Sequence, residues 1–213
     1  MSETPNVQPI NSNIENNGRK NMSRPNETSG IALSGHLKIF DPQSGEVFVN
    51  KRNAIHYENF SLSLAQSMSN AQQGWISEMA FGNAGTSVDP TGVITYLTPN
   101  SVGTNSTLYN ETYKKVVDDR SSVNVDPTRN FIEPRHVTGT NYTDVFVTCL
   151  LDYGEPNGQQ LFDNSQNLNS EFVFDELGLR GRSTDGTSGL ASTGLLLTHV
   201  VFHPVQKALN RLI

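Results

Sequence analysis

The sequence predicts a mainly β protein: a β-sandwich or barrel-like domain over residues 33–213, with one long α-helix and an extended N-terminal arm over residues 1–32. Three observations predict it. Several segments alternate apolar and polar residues, or run apolar for strand lengths. One segment repeats its apolar residues with the helical period. The first thirty residues do neither.

That opening stretch, "MSETPNVQPINSNIENNGRKNMSRPNETSG", is crowded with asparagine and broken by Pro5, Pro9 and Pro25. Such a composition cannot bury enough apolar surface to offset its ordering entropy. The arm is therefore expected to order on assembly, against a neighbouring chain. "HLKIFDPQSGEVFVNKR" follows as a hairpin, with Asp41-Pro42-Gln43-Ser44-Gly45 as its turn. The helix is expected over 54–72. Its stripe is Tyr57, Phe60, Leu64 and Met68, widened by Ile55, Leu62 and Ala65, with Asn53 as cap and Gly74 as stop.

Strands are expected in "WISEMAFG", "VITYLT", "DVFVTCLLDY", "EFVFDELGL" and "GLLLTHVVFHPV". The third is apolar on both faces, Val145, Val147, Cys149 and Leu151 opposing Phe146 and Leu150, which places it between two layers. Long polar connections such as "LFDNSQNLNS" and "GRSTDGTSGLAST" separate the strands. Loops of that length tend to be functional or to order against a partner, so contacts with other subunits are expected.

Net charge is −6, with 15 Lys and Arg in 213 residues. The densest cationic spots are Lys114-Lys115 and Arg180-Gly-Arg182. A groove gripping phosphates by counterion release needs clustered cations, so DNA is not expected to be held. Cys149 is the only cysteine, which rules out an intrachain disulfide and reads as a small packed hydrophobe. No apolar stretch approaches the roughly 20 residues of a membrane span, and no signal-peptide core opens the chain. Aqueous, reducing surroundings are expected.

The stretch "FGNAGTSVDPTGVITYLTPN", residues 81–100, looks at first like a phosphate-cradling loop. A P-loop needs a lysine, and a dinucleotide fingerprint needs a helix after its glycines. Residues 81–100 contain no lysine, and the glycines lead into another strand, so turn chemistry is the expected role. His199 and His203 lie four apart in a strand, about 13 Å along the chain, too far to share a metal ion. Asp118-Asp119 and Asp175-Glu176 are paired carboxylates, yet neighbours in a regular strand face opposite sides. No G-x-S-x-G elbow occurs, and "STDGTSG" lacks the length and closing Glu of an EF-hand loop. No catalytic, cofactor-binding or metal-ligating residue is therefore expected, and no enzymatic activity.

Three stretches, "NAIHYENFSLSLAQSM", "MAFGNAGTSVDPTGVITYLTPN" and "LLLTHVVFHPVQKALNR", together with "LYNETYKKVVDD" and "FDELGL", resemble segments of virion structural proteins of contractile-tailed bacteriophages. The resemblance spans residues 35–213 and excludes the arm. It implies a protein of the virion neck or tail, made in the host cytoplasm, forming a sixfold or twelvefold homo-oligomeric ring at the head-to-tail connection. Such a collar joins the portal-side connector to the tail tube or sheath, and DNA passes through it during ejection without specific binding. The alternative is a tail or baseplate protein that attaches fibres. The resemblance also implies a further strand after "HPVQKALNR", whereas this sequence stops at Ile213, which leaves the path of residues 205–213 open.

Overall fold

Asp41 sets the first hairpin. Its Oδ1 accepts the backbone N–H groups of Gln43 at 2.7 Å and Ser44 at 3.2 Å, and Gly45 completes the turn at φ 76°. Strands β1 (Gly35–Phe40) and β2 (Val47–Ile55) flank it as the alternation predicts. The computed structural model describes residues 30–71, 74–156, 171–182 and 194–213. Except for Gly30–Ala32, the expected arm lies outside them, as do all of "LFDNSQNLNS" and residues 183–193 of the second long loop.

Helix α1 (Tyr57–Met68) follows β2. The remaining strands are β3 (Ile76–Gly82), β4 (Thr86–Val88), β5 (Ile94–Tyr96), β6 (Glu111–Val116), β7 (Phe131–His136), β8 (Thr143–Thr148), β9 (Glu171–Gly181) and β10 (Thr198–Ala208). The protein is mainly β with one helix among the described residues. Six strands form one sheet in the order β1-β2-β10-β9-β3-β6, and every neighbouring pair is antiparallel. Two hairpins, β4–β5 and β7–β8, stand as separate two-stranded ribbons.

One apolar cluster lies on the sheet. The Phe174 ring meets Phe81 edge-on at 5.3 Å, Phe202 edge-on at 5.8 Å and Phe172 in a stack at 5.5 Å. Such pairs add about 0.5–1.5 kcal/mol each beyond the burial of their area. Tyr113, Leu177, Val200 and Val205 extend the cluster, and Ile39 and Val49 of the first hairpin join it. Leu151 and Ile213 close it, their backbones exchanging hydrogen bonds of 2.7 and 3.2 Å. The chain after β10 thus turns back along the segment that follows β8, which gives residues 209–213 their path.

Two expectations need correction. The helix is shorter than 54–72, and its buried face is not the apolar stripe. Tyr57, Leu62 and Met68 are exposed, whereas Asn59 and Ser63 are buried and Phe60 and Leu64 lie at the margin. The cap is His56 rather than Asn53, and the helix ends at Ser69 rather than Gly74. The cause is close backbone approach. Asn59 Nδ2 donates to Leu196 O at 2.9 Å, and Ser63 Oγ donates to Gly74 O. A Cβ on Gly74 would come within 2.3 Å of Ser63 O, so short polar side chains fit where a bulky stripe would not.

Strand β8 is likewise not buried on both faces. Among the described residues it pairs only with β7, and Val145 and Phe146 are exposed, Phe146 beneath the Arg135 guanidinium at 4.0 Å. The apolar run divides at Thr148. Val147 and Cys149 reach the core in part, and only Leu151, beyond the strand, is fully buried.

The helix contacts give a direct comparison. Asn59→Ala leaves the buried Leu196 carbonyl without this donor and should cost about 1–3 kcal/mol. Met68→Ala should stay within about 0.5 kcal/mol. Urea denaturation of both variants checks this, and equal losses would reject the assignment of faces.

Candidate functional site

The charged residues that matter most lie on β9. Strand alternation puts Phe172 and Phe174 into the core, yet Leu177 and Leu179 are also there. The alternation therefore breaks across Asp175-Glu176. Opposite this point β10 carries extra residues: Val201 pairs with Glu176 and Val205 with Phe174. The irregularity releases two consecutive carboxylates from the core, contrary to the expectation that neighbours face opposite sides.

Both carboxylates grip the same turn. Asp175 Oδ1 accepts Gly85 N at 2.9 Å and its Oδ2 accepts Thr86 N at 2.8 Å and the Thr86 hydroxyl. Glu176 Oε1 accepts Asn110 N at 2.9 Å and Ala84 N at 3.4 Å, while Oε2 accepts Tyr109 N at 2.9 Å and His199 Nε2 at 3.0 Å. Successive backbone N–H groups around an anion are the physics of a phosphate cradle. Here the anion belongs to the protein.

The glycines serve that purpose. A Cβ on Gly82 would sit 2.4 Å from Glu176 Oε1, and one on Gly85 would sit 3.0 Å from Glu176 Cβ and from Val201 Cγ1. The rest of the stretch is turn chemistry. Asp89 Oδ1 accepts Thr91 N at 2.8 Å and Val93 N at 3.0 Å, Gly92 takes φ 86°, and β4 and β5 pair across the turn.

The Glu176–His199 pair has the composition of an acid–base dyad, but its geometry seals it. Both side chains are fully buried, and His199 Nδ1, the nitrogen a base would use, accepts Asn100 N at 2.7 Å. Burial opposes ionisation of Glu176. The hydrogen bonds from His199, Asn110 and Tyr109 outweigh it and hold the carboxyl below the ordinary glutamate range. His203, on the same strand, is exposed with Nδ1 3.4 Å from Tyr96 OH, so the two histidines do not meet. Asp118 and Asp119 also part. Asp118 Oδ2 accepts Trp75 Nε1 at 3.0 Å, and Asp119 Oδ1 accepts Ile132 N at 3.4 Å.

The cationic spots seen in the sequence turn inward. Lys114 lies 3.6 Å from Glu78, both fully buried. Lys115 pairs with Glu155 and donates to Leu150 O at 2.7 Å. Arg180 Nη2 lies 2.6 Å from Glu111 Oε2, and its Nη1 donates to Gly194 O at 2.7 Å. Of this set only Arg182 is exposed, its guanidinium 5.7 Å from the Trp75 ring. Cys149 lies beside Lys115 and Glu155, and burial pushes its thiol up to about 12, which keeps it protonated and unreactive.

Sequence reasoning weighed Asp175, Glu176 and His199 without seeing that they meet, noted Arg180 only as a cationic spot, and missed His56, Glu78 and Glu111 altogether. A charged residue flanked by apolar ones inside a strand, as in "FDELGLR", was the available signal. No protein-family model, curated protein or solved structure matches this chain.

Removing the Glu176 carboxylate strands the His199 ring and three backbone N–H groups. Glu176→Ala should therefore cost at least about 1–3 kcal/mol, the range for leaving a buried donor unsatisfied. Because the folded-state value of Glu176 is depressed, its contribution is present above the ordinary glutamate range. It is lost as pH falls through the folded value. Denaturation of the wild type across that acid range should show this loss, and Glu176→Gln should flatten it. An unchanged acid slope in the Gln variant would contradict the assignment.

Proposed function

We propose that this protein is a phage virion structural protein that forms a homo-oligomeric ring at the head-to-tail connection. In this reading it joins the portal-side connector to the tail and lines the DNA channel. The six-stranded sheet and the β7–β8 ribbon are then two layers of a sandwich, and the N-terminal arm reaches a neighbouring subunit.

One observation carries the reading beyond the family resemblance. Lys114 and Arg180, from the densest cationic spots in the sequence, are consumed by buried pairs with Glu78 and Glu111, and Lys115 pairs with the partly exposed Glu155. A channel wall must let DNA slide, and each exposed cation fixed on a phosphate adds drag and salt-dependent affinity. Burying cations while the chain carries net charge −6 suits a passive wall. Val88 and Tyr96 on β4–β5, and Val145 and Phe146 on β7–β8, are exposed apolar side chains available for subunit contacts.

A cryo-EM map of the assembled particle tests the reading, together with a duplex-DNA retention assay at about 0.15 M salt. Closed sixfold or twelvefold rings at the neck and no retention are expected. Trimers at fibre attachment points would replace the neck reading with a fibre-attaching one, and retention would overturn the passive wall.

A further inference from the structure

The six-stranded sheet carries an unmatched feature at each edge. Beyond β6 the chain passes Asp119, whose Oδ1 accepts Ile132 N, and enters the β7–β8 ribbon. Ile132 and Val147 at the base of the ribbon pack against the core. Past them residues 134–146 are exposed, apart from a half-buried Thr140. The pairs Pro134–Val145 and Arg135–Asp144 lie on opposite faces of the ribbon, so both faces are open to water among the described residues. Val137, Tyr142 and Val145 are left exposed there. A two-stranded ribbon is marginally stable alone, so this tip gains from a second surface.

The other edge offers one. Where β1 begins and β2 ends, against the head of α1, lies a groove of about 600 Å³. Leu33, Tyr57 and Val102 give it apolar walls, and Tyr57 and Val102 are themselves exposed. In the strand order β1 and β6 are separated by five spacings of about 4.8 Å, roughly 24 Å of sheet. We propose that the β7–β8 ribbon of one copy seats in this groove of the next. Such a contact is head-to-tail, and it repeats into a ring where the rotation closes. It rests on the ring reading above for that closure, and adds the surfaces through which the copies meet.

Charge complementarity selects a second copy as the occupant. Arg52 lines the groove, is exposed, and makes no hydrogen bond or ion pair among the described residues. The other charged residue of the groove, Glu58, already accepts Gly103 N at 3.2 Å. The unspent charge of the groove is therefore positive. On the ribbon, Arg135 turns to Glu133 at 2.7 Å, and Asp144 opposite it makes no hydrogen bond or ion pair among the described residues. The unspent charge of the ribbon is negative. Pairing Arg52 with Asp144 of the next copy satisfies both and fixes the register. Covering Tyr57, Val102 and the apolar tip supplies the affinity.

Sedimentation velocity of the full chain at up to about 1 mM, the weak end of specific association, tests the contact. The wild type should self-associate. Arg52→Glu and Asp144→Arg, both at exposed positions, should each weaken association at least about tenfold, while the urea midpoint of the monomer holds. Mixing the two variants should restore association, because every groove then meets a ribbon of opposite charge. Association indifferent to both reversals would overturn this contact and leave the ring reading standing. A wild type that stays monomeric at that concentration would overturn both. Restored association that grows into open chains, with no closed species, would support the contact and overturn the ring.

Discussion

The turn at residues 84–86 closes around two carboxylates of β9, and much of the structure depends on that contact. Asp175 and Glu176 satisfy the backbone N–H groups of Ala84, Gly85, Thr86, Tyr109 and Asn110. Left unpaired when buried, such groups would each cost about 1–3 kcal/mol. Paired with a carboxylate, they fix the start of β4 and the entry to β6 relative to the central strand. His199 extends the contact to Asn100, and His56 ties the same loop to the head of the helix. The connections that leave the sheet are thereby held by a few buried polar groups, beside the apolar contact of Leu108 with Ala80 and Leu196.

The same economy runs through the interior. Glu78–Lys114 and Glu111–Arg180 are buried ion pairs between strands of the sheet, and Lys207 Nζ donates to the carbonyls of Asp152, Glu155 and Ala208 within 3.0 Å. Buried pairs are weak evidence for extra stability, because desolvation offsets their attraction. Their consequence lies in what they remove from the surface and in the registers they favour.

Much of the fold was legible in the sequence. The Asp41–Gly45 turn named the first hairpin through its side-chain and glycine chemistry, and alternation located the strands later found as β3, β5, β9 and β10. The rest failed for identifiable reasons. The helix pattern was read as apolar, but the chain at Leu196 and Gly74 approaches closely enough to select Asn59 and Ser63. The run around Cys149 looked doubly buried because periodicity cannot show where a strand stops, and this one stops at Thr148. The site was hardest to read. Asp175 and Glu176 converge through an irregularity opposite residues 202–204, which no local pattern announces. The glycines at 82 and 85 were read as turn chemistry, and the internal anion that they accommodate was visible only in three dimensions.

The central claim is that the carboxylates of β9, and not apolar packing, hold the turn after β3. Amide hydrogen exchange in Asp175→Ala measures it most directly. Protection at Gly85 and Thr86 should fall at least about tenfold, the equivalent of roughly 1.4 kcal/mol, while amides of Phe81 and Leu177 in the paired strands keep theirs. Undiminished protection at Gly85 and Thr86 in a folded variant would contradict the account.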